Sequence, residues 1–307
     1  MTVHGTVLTL QGGGYTAQVG QVGATLLSLT YRGHHLVDPV APDRLDDAWR
    51  GRTLVPWPNR VVSGRYEVAG GTYELPVNEH ETGAALHGLG AFQRWDLLEH
   101  TGTMAAWALD LPPSYGYPFQ VRCSTTYTLG EEGLSVRIEG TNLGDVAAPF
   151  GASVHPYLTC DGRPVDECHV SLPAGAVLLT DDRSSPTTLV PVADAELDLS
   201  RRTSLAGLEV DHAFTDLPAS WAVELTHPET PGVRMDSDAP WVQLYTGDRI
   251  GRVAAAVEPM TCPPDAFNRD PEGVLLPPAQ TRTLSLRIST LPPWGEQLTG
   301  SGTPQDG

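Results

Sequence analysis

Four stretches of the chain alternate strictly between apolar and polar side chains, and this period of two limits the fold more than any other feature. Val121, Cys123, Thr125, Tyr127 and Leu129 share one face, with Arg122, Ser124, Thr126 and Thr128 on the other. Leu134, Val136 and Ile138 stand against Ser135, Arg137 and Glu139. Trp221, Val223 and Leu225 oppose Ala222, Glu224 and Thr226, and Leu284, Leu286 and Ile288 oppose Thr283, Ser285 and Arg287. Successive side chains of a strand point to opposite faces, so the pattern is that of antiparallel strands with one face buried and one wet. No long stretch carries a helical period, and no internal repeat marks a propeller or solenoid. The 32 glycines and 27 prolines are spread along the whole chain, as joints between many short strands. The expectation is an all-β fold, one large antiparallel β-sandwich domain over residues 1–291 with very little helix. A Gly/Pro/Thr-rich tail over 292–307 is expected to be disordered.

Local signals refine this. Residues 6–10 and 15–19 read as a hairpin around Gly12-Gly13-Gly14, with a third strand over 24–31. Residues 43–49 form the first plausible helix, with an acidic start suited to the helix dipole. Leu54-Val55-Pro56-Trp57-Pro58 then calls for an extended, rigid path.

Charge narrows the partners. Acidic residues outnumber basic ones 37 to 19, for a net charge of −18, and every basic residue is arginine. Such a chain repels nucleic acid and anionic membranes, so neither is an expected partner. Without lysine there is no Schiff-base chemistry. Cys123, Cys160, Cys168 and Cys262 form no Cys-x-x-Cys pair, and no leader-like segment or membrane-length apolar run is present. A cytoplasmic protein with free thiols is expected, as a monomer or homodimer.

Five places carry reactive or recognition groups. Gly151-Ala-Ser-Val-His155-Pro-Tyr157 holds an imidazole at the end of an extended segment, because proline stops a ladder and keeps the preceding residue extended. Ala254-Ala-Ala-Val-Glu258-Pro-Met260 ends a small, apolar strand on a carboxylate in the same way. A carboxylate in such a strand needs a partner or a function. Leu86-His87-Gly88 places a glycine where a ligand or backbone can approach closely. Pro58-Asn59-Arg60 and Val210-Asp211-His212 complete the set; taken singly, each reads as a turn or a cap. Cys160, Asp161, Asp166, Cys168 and His169 cluster, but their spacing fits no zinc pattern and their surroundings read as a turn, so no metal is expected there. His155 and Glu258 are a pair suited to general acid/base work on a neutral substrate.

In order along the chain stand Asn59-Arg60-Val61-x-x-Gly64-x-Tyr66, Gly71-x-Tyr73-x-Leu75-x-x-Asn78, Leu86-His87-Gly88, His155-Pro156-Tyr157, Val210-Asp211-His212-Ala213-Phe214, Gln243-x-Tyr245-Thr246-Gly247, and Glu258-Pro259 with Pro264-Asp265-Ala266-Phe267-Asn268. In these the chain resembles the aldose 1-epimerase (galactose mutarotase) family, from about Gly51 to Ile288. The resemblance implies a galactose mutarotase-like supersandwich and a cofactor-free isomerase that interconverts the α and β anomers of a free hexose. It implies Glu258 as base on the anomeric hydroxyl and His155 as acid on the ring oxygen, with His87 as a second histidine near that oxygen. It places Asn59, Arg60, Asp211 and Gln243 on the sugar hydroxyls. Trp57 or Tyr157 is the expected stacking partner of the sugar, and Asp211 the carboxylate expected to raise the His155 pKa. Leu158-Thr159-Cys160 replaces the family's usual aromatic and asparagine after His-Pro-Tyr, which marks a divergent branch. Alternative readings are an epimerase of a phosphorylated or sulfonated hexose, with Arg249 and Arg252 meeting the anion, a non-catalytic sugar-binding protein, or a glycoside hydrolase using Asp211 and Glu258.

Overall fold

The computed structural model describes residues 2–41, 43–45 and 48–293. Two antiparallel sheets dominate it. Among the described residues the nine-stranded sheet runs, in spatial order, Asp96–His100, Met104–Leu111, Val121–Gly130, Gly133–Asn142, Thr281–Leu291, Gly232–Ser237, Trp221–Thr226, His169–Ser171 and Thr203–Ser204. All four alternating stretches lie in it. Their apolar sets, such as Val121, Cys123 and Tyr127, are buried, and their outer faces carry ion pairs such as Arg122 with Asp110 and Arg137 with Glu139. The period of two is clean here because only one face is covered.

The twelve-stranded sheet packs its inner face on the same core. Its order is Val7–Gly12, Tyr15–Gly20, Thr25–Tyr31, His34–Val37, Tyr157–Leu158, Ala255–Met260, Trp241–Tyr245, Asp211–Thr215, Ala176–Thr180 and Pro186–Pro191, with Ser153–Val154 and Thr53–Leu54 attached beside Ala255–Met260. Its centre is covered on both faces: every residue of Ala255–Met260 is buried. An apolar run with no alternation is the consequence.

The first hairpin forms as Val7–Gly12 and Tyr15–Gly20, turning through Gly13 and Gly14 at φ of 59° and 83°. At Gly13 a Cβ would sit 2.3 Å from the Gly130 carbonyl oxygen, so this turn needs glycine for space as well as for backbone conformation. The helix expected over 43–49 is a correction. The described residues there have turn or irregular backbone, and 46 and 47 lie outside the described residues. Trp49 has a φ of 61°, and Gly51 donates its N–H to the His155 carbonyl at 2.7 Å, so the segment is drawn onto the sheet. Seven residues are too few to nucleate a helix against that pull. The one α-helix among the described residues is the single turn Ala266–Arg269. The path through Leu54 to Pro58 includes a cis Val55–Pro56 peptide. The expected tail lies outside the described residues from 294 onward, and no described helix is long and apolar enough to cross a membrane.

The sandwich is packed closely where Phe150 lies on the Gly140 backbone; a Cβ at Gly140 would stand 2.1 Å from the ring. Gly140→Ala is expected to lower stability by about 1–3 kcal/mol through overpacking. Gly102→Ala, where no atom lies within 4 Å of the added Cβ, should leave the urea midpoint nearly unchanged. Equal midpoints for the two variants would contradict this packing.

Candidate active site

Strand register assembles the site. Ser153 pairs with Met260 and Tyr157 with Ala256. Both pairings share one alignment, so His155, in the gap between the two short strands, stands opposite Glu258. On the other side of Glu258 its cross-strand partner is Gln243. Side chains opposite one another point to the same face, so His155, Glu258 and Gln243 form one row on the outer face of the sheet. Ala256 and Met260 share that face, whereas Val257 belongs to the sandwich core. The strand does not end at Glu258 as expected but continues through Pro259 to Met260.

The backbone of His155 is clamped from the far side. Its N–H donates to the Arg52 carbonyl at 3.0 Å, and its own carbonyl accepts from Gly51. Tyr157 stacks on the imidazole, with centroids 5.1 Å apart and planes 15° from parallel, and lies under the Arg50 guanidinium. His155 Nε2 is thereby held 3.3 Å from Glu258 Oε1.

His87 enters from a different segment, with φ of 60° and its ring centroid 5.2 Å from that of His155. Gly88 after it lets the chain pass Val55, whose carbonyl oxygen a Cβ would approach to 2.2 Å. Two bonds lock His87 to Asn59: its N–H donates to the Asn59 carbonyl at 2.8 Å, and the Asn59 N–H donates to His87 Nδ1 at 3.2 Å. That second bond fixes the tautomer, because an Nδ1 that accepts leaves the ring proton on Nε2. His87, His155 and Glu258 bring possible ligand atoms within 4.8 Å of one another. Yet His87 Nε2 carries a proton and offers a metal no lone pair.

Burial decides the charges. It pushes His155 down to about 3, with the Arg50 guanidinium adding to the shift. It pushes His87 well below the ordinary imidazole value, helped by His155 and Arg60. It pushes Glu258 well above the ordinary carboxylate value, which Asp211 reinforces and Arg60 opposes. Asp211 is therefore not the carboxylate beside His155. It accepts from Gln243 Nε2 at 2.6 Å, and its field falls on Glu258. Among the described residues, Glu258 Oε2, Gln243 Oε1 and His155 Nδ1 are buried without a hydrogen-bond partner, polar atoms of the kind a bound ligand satisfies.

The row forms the floor of a cavity of about 370 Å³, to which Asn59, Arg60, His87, Tyr157, Asp211 and Gln243 all contribute. That is within the ordinary range for small-molecule sites, about 300–1,000 Å³. Arg60 is held by Glu79 through paired bonds, Nε to Oε2 at 2.7 Å and Nη2 to Oε1 at 2.9 Å. Sequence reasoning passed over Glu79, whose signal was only its place one residue after Asn78. The Pro264–Asn268 motif is structural: Asp265 accepts from the Val62 N–H at 2.9 Å, and its own N–H donates to the Arg60 carbonyl at 2.8 Å. Trp57 points inward, donating to the Ala85 carbonyl at 3.1 Å. The indole that lines the cavity is Trp49, which no sequence signal singled out. Arg249 stands exposed on the cavity wall, whereas Arg252 is occupied by Asp166 and Asp248. In the cysteine-rich turn, Cys160 and Cys168 donate to the Leu225 and Pro164 carbonyls, and Asp161 pairs with His34.

Comparison with known proteins agrees with this architecture. A family model described as aldose 1-epimerase matches residues 6–289. The uncharacterized protein YihR of Escherichia coli K12 is 41% identical over 290 residues, covering 94% of each chain. Galactose mutarotase of Mus musculus is 28% identical over 210 residues, 62% of this chain and 60% of its own. The solved structure of a GalM/aldose epimerase homologue from C. elegans superposes with a TM-score of 0.83 at 21% identity, over 94% of this chain and 99% of that one, a likeness of fold.

The Asn59 bond and the burial of both rings make a spectroscopic prediction. In long-range imidazole ¹H–¹⁵N spectra, His87 should be a neutral Nε2–H tautomer. Neither His87 nor His155 should take up a proton where exposed imidazoles do, near pH ~6.5. A His87 signal that titrates there would contradict the geometry.

Proposed function

The chain belongs to the aldose 1-epimerase family, and from that premise we propose that it interconverts the α and β anomers of a free aldohexose such as glucose or galactose. The observation that carries the proposal is the His155–Glu258 pair, in contact at 3.3 Å and buried at the floor of a polar cavity. Glu258 takes the proton from the anomeric hydroxyl while His155 gives one to the ring oxygen. The C1–O5 bond breaks, leaving an aldehyde at C1 and a hydroxyl at C5. Rotation about C1–C2 presents the other face of the carbonyl. The C5 hydroxyl then closes on C1, returning its proton to His155 as Glu258 protonates the former carbonyl oxygen.

Protonation states support these roles. A neutral imidazole beside a carboxylic acid holds as many protons as an imidazolium beside a carboxylate, so one internal transfer converts the resting pair into the working one. Arg60 favours the carboxylate of Glu258. His87 does not compete for the acid role, since the Asn59 N–H denies it a second proton. Its Nε2–H is a fixed donor for an oxygen of the sugar. Arg60 and the Asp211–Gln243 pair offer donors and acceptors to the hydroxyls.

A second reading, an epimerase of a hexose bearing a phosphate or sulfonate, draws on Arg249 alone, because Arg252 is paired elsewhere. Glu81, Asp182 and Asp211 also line the cavity, where Glu79 is already paired with Arg60, and disfavour an anion.

Following optical rotation of freshly dissolved α-D-glucose, α-D-galactose and a hexose with an anionic C6 group tests both. Acceleration of either neutral sugar is expected, and relaxation at the buffer rate with both would sink the first reading. Glu258→Gln should lose about 10²-fold or more in rate, whereas a protein that only binds sugar has no such rate to lose. The pH profile should be bell-shaped, because a doubly protonated pair has no base and a fully deprotonated pair has no acid. A rate that rises monotonically with pH would count against the paired roles.

A further inference from the structure

We propose that Trp49 is the platform on which the pyranose ring lies, stacking its indole on the C–H face of the sugar and holding C1 and O5 over the His155–Glu258 pair. The proposal rests on the sugar reading above and names the residue that positions the ring. Three observations carry it.

The first is placement. Trp49 lines the cavity with His87, His155 and Glu258, and its ring centroid is 4.9 Å from that of His87. The second is the state of the aromatic faces. Trp49 meets His87 at 56° and Phe92 at 64°, so neither neighbour lies flat on the indole. Tyr157 is already stacked on His155 at 15°, and Trp57 is buried with its N–H bonded to a carbonyl. Sugars present alternating polar edges and apolar C–H faces, and a large aromatic surface with a polar rim is the side-chain chemistry that matches them.

The third is the effort the fold makes to hold this ring in place. Trp49 has a φ of 61°, a backbone conformation that bulky side chains rarely adopt. Phe92 supports the indole edge-on, and the Arg52 guanidinium covers Phe92 at 4.2 Å. Arg52 is buried and donates to the Ala91 carbonyl at 2.7 Å. Its own carbonyl accepts the His155 N–H. The segment that positions the acid thus also positions the platform, and the two cannot shift independently.

The test combines binding with kinetics on the full chain. D-glucose and D-galactose are titrated against wild type, Trp49→Phe and Trp49→Ala, with calorimetry reporting binding and tryptophan fluorescence reporting the indole. Seven tryptophans emit, so the quantity read is the sugar-induced change. That change is expected in the wild type and should be largely lost in Trp49→Phe. Trp49→Ala should raise KM about tenfold or more, affecting KM more than kcat, and Trp49→Phe should recover part of the loss. An undiminished fluorescence change in Trp49→Phe, or a wild-type KM in Trp49→Ala, overturns the proposal while leaving the sugar reading intact. If the alanine variant does not fold by circular dichroism, the phenylalanine variant decides alone. If wild type binds neither sugar, the sugar reading fails and this inference with it.

Discussion

The site depends on one rung of the twelve-stranded sheet. His155, Glu258 and Gln243 occupy the same level on adjacent strands, so their side chains share a face at the spacing of a β-ladder. A one-residue slip in either pairing would turn one of them into the core. The apolar face beneath prevents that slip: Val257, Leu244 and Val242 are buried against the other sheet. The geometry of this rung is therefore fixed by hydrophobic packing on the opposite side of the same strands. The interruption at His155-Pro156 leaves the alignment intact while freeing the imidazole from a continuous strand.

Much of this was legible in the sequence, and the parts that were not share a cause. The wet-faced strands of the nine-stranded sheet showed themselves through alternation, because water covers one face. The central strands of the other sheet hid theirs, because a cavity replaces water on the outer face, as at Ala255–Met260. Glu258 stood out as a carboxylate inside such a run, and His155 through its proline. Residues that act through other residues carried no signal of their own. Glu79 matters only because Arg60 folds back onto it, and Trp49 looked like the end of a helix. Asp211, expected beside His155, lies on the Glu258 side instead, since register sets it, on the strand beyond Gln243, opposite Tyr245. Strand order could not be read from the local pattern.

Burial and hydrogen bonding divide the two histidines into separate roles. Both rings are dry, and both are pushed toward the neutral state. His155 touches a carboxylic group with which it can exchange a proton, whereas His87 faces a peptide N–H that permits only one tautomer. On the proposed reaction the same residue type thus serves as a proton carrier in one place and as a fixed donor in the other. Arg60 sharpens the division. Anchored by Glu79, it lowers the cost of charge on Glu258 and raises the cost of charge on His87.

A dry, neutral resting pair also suits a neutral substrate. Charges at the cavity floor would hold water tightly, and a sugar would have to displace it against their hydration. Burial favours the uncharged form of both His155 and Glu258, so on the proposed reaction charge separates when the sugar's own oxygens are there to receive it. On the proposed reaction each proton lent in ring opening is returned in ring closure. The pair therefore ends each cycle as it began, without drawing a proton from solvent. Such a cycle needs two groups that exchange with the substrate and a third that holds it without exchanging. The register of three strands and one peptide N–H are enough to supply them.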